Sequence, residues 1–149
     1  MSTDFSELNS SIDSYLGYQL RRVSSLAMTK LADALSPLEL RVTDVTVLYQ
    51  IAENPEITAS EIGRVLDIQR ANMTPLVSAM IKKGYLNTKA KDGRSQALSL
   101  TQQGRKVFRQ AQKVTKDHEQ NFFSSLPDNK RQQLSRLLMQ VWKQHSGLR

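Results

Sequence analysis

Between Thr58 and Leu100 the spacing of apolar residues changes from helical to alternating, and this restricts the fold more than any other feature of the sequence. Thr58-Ala59-Ser60-Glu61 sets a capping threonine three residues ahead of a glutamate, the pattern that satisfies the free amides at a helix start. A short helix follows with Ile62, Val65 and Leu66 as its apolar face, then a turn at about Asp67 to Gln69. Met73, Leu76, Val77, Met80 and Ile81 next recur as one helical stripe, and Gly84 stands after Lys82-Lys83 where a left-handed residue ends a helix. From Tyr85 the period falls to two. Leu86, Thr88 and Ala90 alternate with Asn87, Lys89 and Lys91, Asp92-Gly93 makes a turn, and Ala97 to Leu100 return. Short helix, tight turn, helix and hairpin in this order form a winged helix-turn-helix, whose second helix suits the major groove of double-stranded DNA.

The flanks are helical, so the fold class is mostly α with a small β-hairpin wing. Ser10 and Asp13 start a long helix, about Ser11 to Ala34, with Ile12, Tyr15, Leu16, Gln19, Val23, Leu26, Ala27 and Leu31 at helical spacing. Ser36-Pro37-Leu38-Glu39 combines a cap serine, an N1 proline and a capping-box glutamate, opening a second helix through Val45, Leu48 and Ile51 that ends near Asn54-Pro55. Thr101 caps a helix lined by Val107, Ala111, Val114, His118 and Phe122, and the last helix carries Leu134, Leu137, Leu138, Val141, Trp142 and His145. Residues 37–101 thus make a winged lobe, with the recognition helix at about 70–83 and the wing at 86–100. Segments 10–35 and 102–149 carry more apolar stripe than a lobe with a winged segment of about 45 residues needs for its own core, which predicts a homodimer. Two-fold symmetry would set two recognition helices about 34 Å apart and call for a pseudo-palindromic operator.

A chain of 149 residues is one domain in size. Its net charge of +7 is unevenly spread: residues 1–57 carry 4 basic and 8 acidic groups, 58–104 carry 7 and 3, and 105–149 carry 10 and 3. A polyanionic partner accounts for this, and so does a solvated basic face. With no cysteine, disulfides and thiolate metal sites are excluded. Asp117-His118-Glu119 point to different sides of a helix and no H-E-x-x-H spacing occurs, so no metal or cofactor is expected; His118 and His145 read as packed on their apolar stripes. A nucleophile elbow, a phosphate loop and a carboxylate pair are all missing from the sequence, which argues against an enzyme. The opening Met1 to Glu7 is polar and acidic, and there is no apolar run of about 18 residues, so a soluble cytoplasmic protein with no membrane partner is expected.

On the recognition helix the apolar stripe turns Ala71, Thr74, Pro75, Ser78 and Lys82 outward. Thr74 and Ser78 can hydrogen-bond to base edges or phosphates, while Ala71 and Pro75 offer apolar contact to thymine methyls. Gln69 and Arg70 flank the helix start, with Arg70 the candidate for reading a guanine and Lys82 for a phosphate. Pro75 removes one donor, so it should either lie in the first turn or bend the helix. At the hairpin tip, Lys89-Ala90-Lys91-Asp92-Gly93-Arg94-Ser95, Arg94 can reach the narrow minor groove, with Asp92 near enough to brace its guanidinium. Each of these side chains also fits an ordinary solvated surface.

Asp92-x-Arg94 followed by Leu100-Thr101 and Gly104, and preceded by Lys82-Lys83-Gly84-Tyr85-Leu86, resembles the multiple antibiotic resistance regulator (MarR) family of transcription factors, over about Tyr15 to Val141. The resemblance implies a minor-groove role for Arg94 with Asp92 as its brace, major-groove reading by the Gln69 to Lys82 face, and a homodimer built by the first and last two helices. It also implies release from DNA by a small aromatic or anionic effector, such as a carboxylate or coenzyme A thioester, held between the dimer helices and the winged lobe. Tyr15, Tyr18, Arg22 and Leu26 share one shoulder of the first helix; with Tyr49 they could stack a ring and pair its anion with Arg22. The same residues equally fit a dimer interface with Arg22 exposed or salt-bridged. A winged module that assembles with an acidic protein, without binding an operator, is the alternative function.

Overall fold

A computed structural model describes residues 10–147, so the polar opening Met1 to Glu7 lies outside the described residues. The described residues form helices α1 (Leu16–Leu35), α2 (Val42–Glu53), α3 (Ala59–Val65) and α4 (Arg70–Lys82), strands β1 (Leu86–Ala90) and β2 (Gln96–Leu100), and helices α5 (Gln102–Phe122) and α6 (Asp128–His145). The strands pair antiparallel with Leu86 opposite Leu100 and Ala90 opposite Gln96. The Leu98 amide also donates to the Ile57 carbonyl at 2.8 Å, which ties the segment before α3 to the outer side of β2. Fold class and element order match the expectation from sequence.

Two helix starts differ from it. The first helix is not continuous from Ser11: a 3-10 turn, Ser11–Ser14, is separated from α1 by Tyr15, which is extended at φ −81 and ψ 125. Asp13 explains the break. Its carbonyl accepts from the Gln19 side-chain amide at 2.8 Å and its carboxylate from Arg22 at 3.0 Å, so side chains take the place of a continuing helical ladder. The second helix starts at Val42, not at Ser36-Pro37-Leu38-Glu39. Those residues close α1 with a 3-10 turn in which Ser36 Oγ donates back to the Asp33 carbonyl, and Glu39 adopts φ +53, which turns the chain out of the helix before its carboxylate can cap one. The cap of α2 is instead Asp44, whose carboxylate accepts from the Arg41 amide at 2.8 Å and from the Arg41 guanidinium at 2.9 and 3.2 Å.

The core lies in the winged lobe, around Leu35, Val47, Leu48, Ile62 and Met73, which are essentially inaccessible, and extends along α5 through Val107, Phe108 and Ala111. Val65 and Ile81, expected on apolar faces, are exposed at 45% and 41%. Each sits at the margin of its stripe, and buried Gly63 takes the inward position on α3. The flanking helices are much less covered: α1 buries only Ala27, Leu31 and Leu35, and α6 buries no residue.

Candidate nucleic-acid interface

The site is built from the cap of α3 outward. Glu61 N–H donates to Thr58 Oγ1 at 3.3 Å, while the Glu61 carboxylate accepts from the Thr58 amide at 2.7 Å and hydroxyl at 2.9 Å. Those two bonds, the backbone one foremost, hold the Glu61 carboxyl below its ordinary range. The chain then turns through Asp67, left-handed at φ +53, and the Ile68 amide donates to the Gly63 carbonyl at 2.8 Å. Burial of Met73, Leu76, Val77 and Met80 fixes the rotation of α4 and leaves Ala71, Thr74, Pro75, Ser78 and Lys82 exposed. Pro75 lies inside α4, past its first turn, so the Ala71 carbonyl loses its usual i+4 donor on that exposed face. Gly84 takes the left-handed φ of +76 after α4, as expected.

Together α3, α4 and the hairpin enclose an open concavity of about 870 Å³. Gln69, Arg70, Thr74 and Ser78 line it from the helical side and Arg94 from the hairpin, so these five sequence-derived candidates come together. Ala71, Pro75 and Lys82 lie on the exposed side of α4 but outside its lining, as do Lys89, Lys91 and Asp92 on the hairpin. The lining also includes Ser60, Arg64, Thr88 and Gln96, none of which the sequence had singled out. Ser60 and Arg64 were findable: at i and i+4 they share one face of α3, opposite Ile62.

Two wing expectations take a different form. Among the described residues no hydrogen bond or ion pair joins Asp92 to Arg94; Asp92 instead shapes the turn, its carbonyl accepting from the Ser95 amide at 2.8 Å. Lys91 reaches back to α3, with Nζ 3.0 Å from the Glu56 carbonyl oxygen and 3.8 Å from Glu61 Oε2. The five effector candidates are not gathered either. Arg22 pairs with Asp13 and lies 5.7 Å over the Tyr18 ring, Tyr15 is exposed, and Tyr49 packs edge-on against Phe108 with centroids 5.0 Å apart. Leu26 lines a separate cleft of about 620 Å³ between α1 and α5, with Lys30, Val114, His118 and Phe122. His118 is buried there, its ring 5.5 Å from that of Phe122, as its place on the stripe suggested, whereas His145, expected to be packed likewise, is exposed on α6.

Residues 38–95 match the model of the MarR family. The chain is 28% identical over 127 residues to the HTH-type transcriptional repressor IacR of Pseudomonas putida, an alignment covering 84% of this chain and 76% of that protein. Its fold matches the transcriptional repressor CouR bound to a 23-mer DNA duplex with a TM-score of 0.85 and 27% identity, over 91% of this chain and 99% of that one. CouR from Rhodococcus jostii RHA1 bound to p-coumaroyl-CoA has the same fold, with a TM-score of 0.79 and 20% identity, covering 89% and 95%.

Proposed function

We propose that this chain is a MarR-type regulator, on the match of residues 38–95 to that family's model and its likeness to IacR and CouR, and that it is a dimeric, sequence-specific repressor of the winged-helix type. The observation that carries the reading is that Arg70, Thr74 and Ser78 on α4 and Arg94 on the wing line one concavity. A helix carrying hydrogen-bonding groups and a basic hairpin beside it match a major groove and the neighbouring minor groove. Solved with a DNA duplex, CouR is a relative of the same fold, which supports the assignment.

The dimer is supported by the apolar surface on the flanks. Leu20, Phe123, Leu134, Leu138, Val141 and Trp142 line a groove of about 830 Å³, and the occupant that suits it is the same groove of a second copy, since α6 buries nothing within its own chain. The effector is a small aromatic or anionic molecule, a class that p-coumaroyl-CoA on CouR exemplifies. Its proposed contacts on this chain are Tyr18 and Arg22, which lie together on α1.

Selection from a random-sequence duplex pool tests the reading. Enrichment of a pseudo-palindrome with half-site centres one helical turn apart is the expected result. Failure to retain any duplex, together with co-elution of an acidic protein, overturns it in favour of an assembly module.

A further inference from the structure

The two wing strands are held unequally: β2 is anchored by buried Ala97, Leu98 and Leu100 and by its bridge to Ile57 and Thr58, whereas Asn87 to Ala90 of β1 are exposed. Arg94 projects from the loop beyond Ala90 and Gln96, where the ladder between the strands ends. Lys91 supplies a further tie. Its amide donates to the Ser95 carbonyl at 3.0 Å and closes the tip around Arg94, while its ammonium donates to the Glu56 carbonyl at 3.0 Å. Glu56 presents that carbonyl from a left-handed conformation, φ +61, uncommon for a residue with a side chain. The ammonium also stands 3.8 Å from Glu61 Oε2, the oxygen that accepts from Thr58 at the start of α3. Among the described residues Lys89 and Arg94 make no such side-chain bond.

We infer that Lys91 is a positioning residue rather than a phosphate contact: it fastens the wing tip to the first turn of α3 and so fixes where Arg94 stands relative to α4. This rests on the DNA-binding reading above. Two of the three donors of the Lys91 ammonium face a carbonyl and a carboxylate, so its place is set by the lobe and its charge is partly balanced there before any phosphate approaches. The tie also converges on the cap that orients α3, the helix that carries α4 through its turn.

A salt titration separates the two roles, because removing a cation that neutralises one phosphate lowers the slope of log affinity against log salt by about 0.9. Affinity for a duplex selected from a random pool by the unaltered protein would be measured by fluorescence anisotropy. Lys91→Met should weaken binding roughly three- to tenfold with an unchanged slope, Lys91→Arg should restore most of the affinity, and Lys89→Ala should lower the slope by about one. A second arm needs no DNA: hydrogen exchange at the amides of residues 91–95 should quicken in Lys91→Met while exchange in α5 stays as before. A slope lowered by about one in Lys91→Met, or unchanged tip exchange, overturns the inference. Failure of the unaltered protein to enrich any duplex would instead overturn the DNA-binding reading, and the exchange arm would still decide the tie.

Discussion

Gly63 and Ile68 meet across the turn between α3 and α4 with no room for a side chain: the Ile68 amide donates to the Gly63 carbonyl at 2.8 Å, and a Cβ on Gly63 would stand 2.8 Å from the Ile68 carbonyl oxygen and 3.1 Å from Met73 Cγ. The angle between the two helices depends on this approach, and with it the direction in which Arg70, Thr74 and Ser78 face.

Gly63→Ala should therefore destabilise the protein by about 1–3 kcal/mol, the range for overpacking a filled site, lowering the melting temperature by several degrees. Calorimetry checks it, with Gly17→Ala as the control, since no atom lies within 4 Å of a Cβ there.

The cap of α3 makes a second prediction. Thr58→Ala should cost about 1 kcal/mol in urea denaturation. The folded Glu61 carboxyl lies below its ordinary value of 4.5, so its contribution is fully present above that value and is lost as pH falls through the lower, folded one. Stability measured from about pH 6 down to pH 3 should decline less steeply in Glu61→Gln than in the unaltered protein.

How far the sequence could lead is plain from these same elements. The Thr58–Glu61 cap, the stripe of α4, Gly84 and the presence of the hairpin were legible because each depends on neighbours within a few residues. Gly63 was not, since its role is set by a carbonyl five residues on whose position only the folded turn determines. Ser36 to Glu39 misled for a related reason: the residues of a capping box were present, but they form a 3-10 turn that ends at the left-handed Glu39, and Asp44 does the capping. At the site, residues sharing a helix face could be grouped from spacing. The route taken by Lys91, back to a backbone carbonyl 35 residues earlier, leaves no periodic trace.

The apolar groove of α6 predicts a dimer that one charge can break. Trp142→Glu, placing a carboxylate in the middle of it, should convert a species of twice the 16.9 kDa chain mass into a monomer by light scattering. A dimer persisting at micromolar concentration would show that another surface holds the copies together.

An effector bound to the folded protein alone must raise its melting temperature, by an amount equivalent to about 2.7 kcal/mol at a concentration of 100 times Kd. Aromatic carboxylates and their coenzyme A thioesters are expected to give such a shift in the unaltered protein and a smaller one in Arg22→Ala. The same shift in both proteins would remove Arg22 from the effector's contacts.

Operator affinity in Arg94→Ala tests the central claim most directly. Anisotropy titrations of the selected duplex at about 100 mM salt should show binding weakened by 1–3 kcal/mol, or roughly 5- to 150-fold, with an unchanged melting temperature of the free protein. Affinity equal to that of the unaltered protein would contradict a wing that inserts Arg94 into DNA.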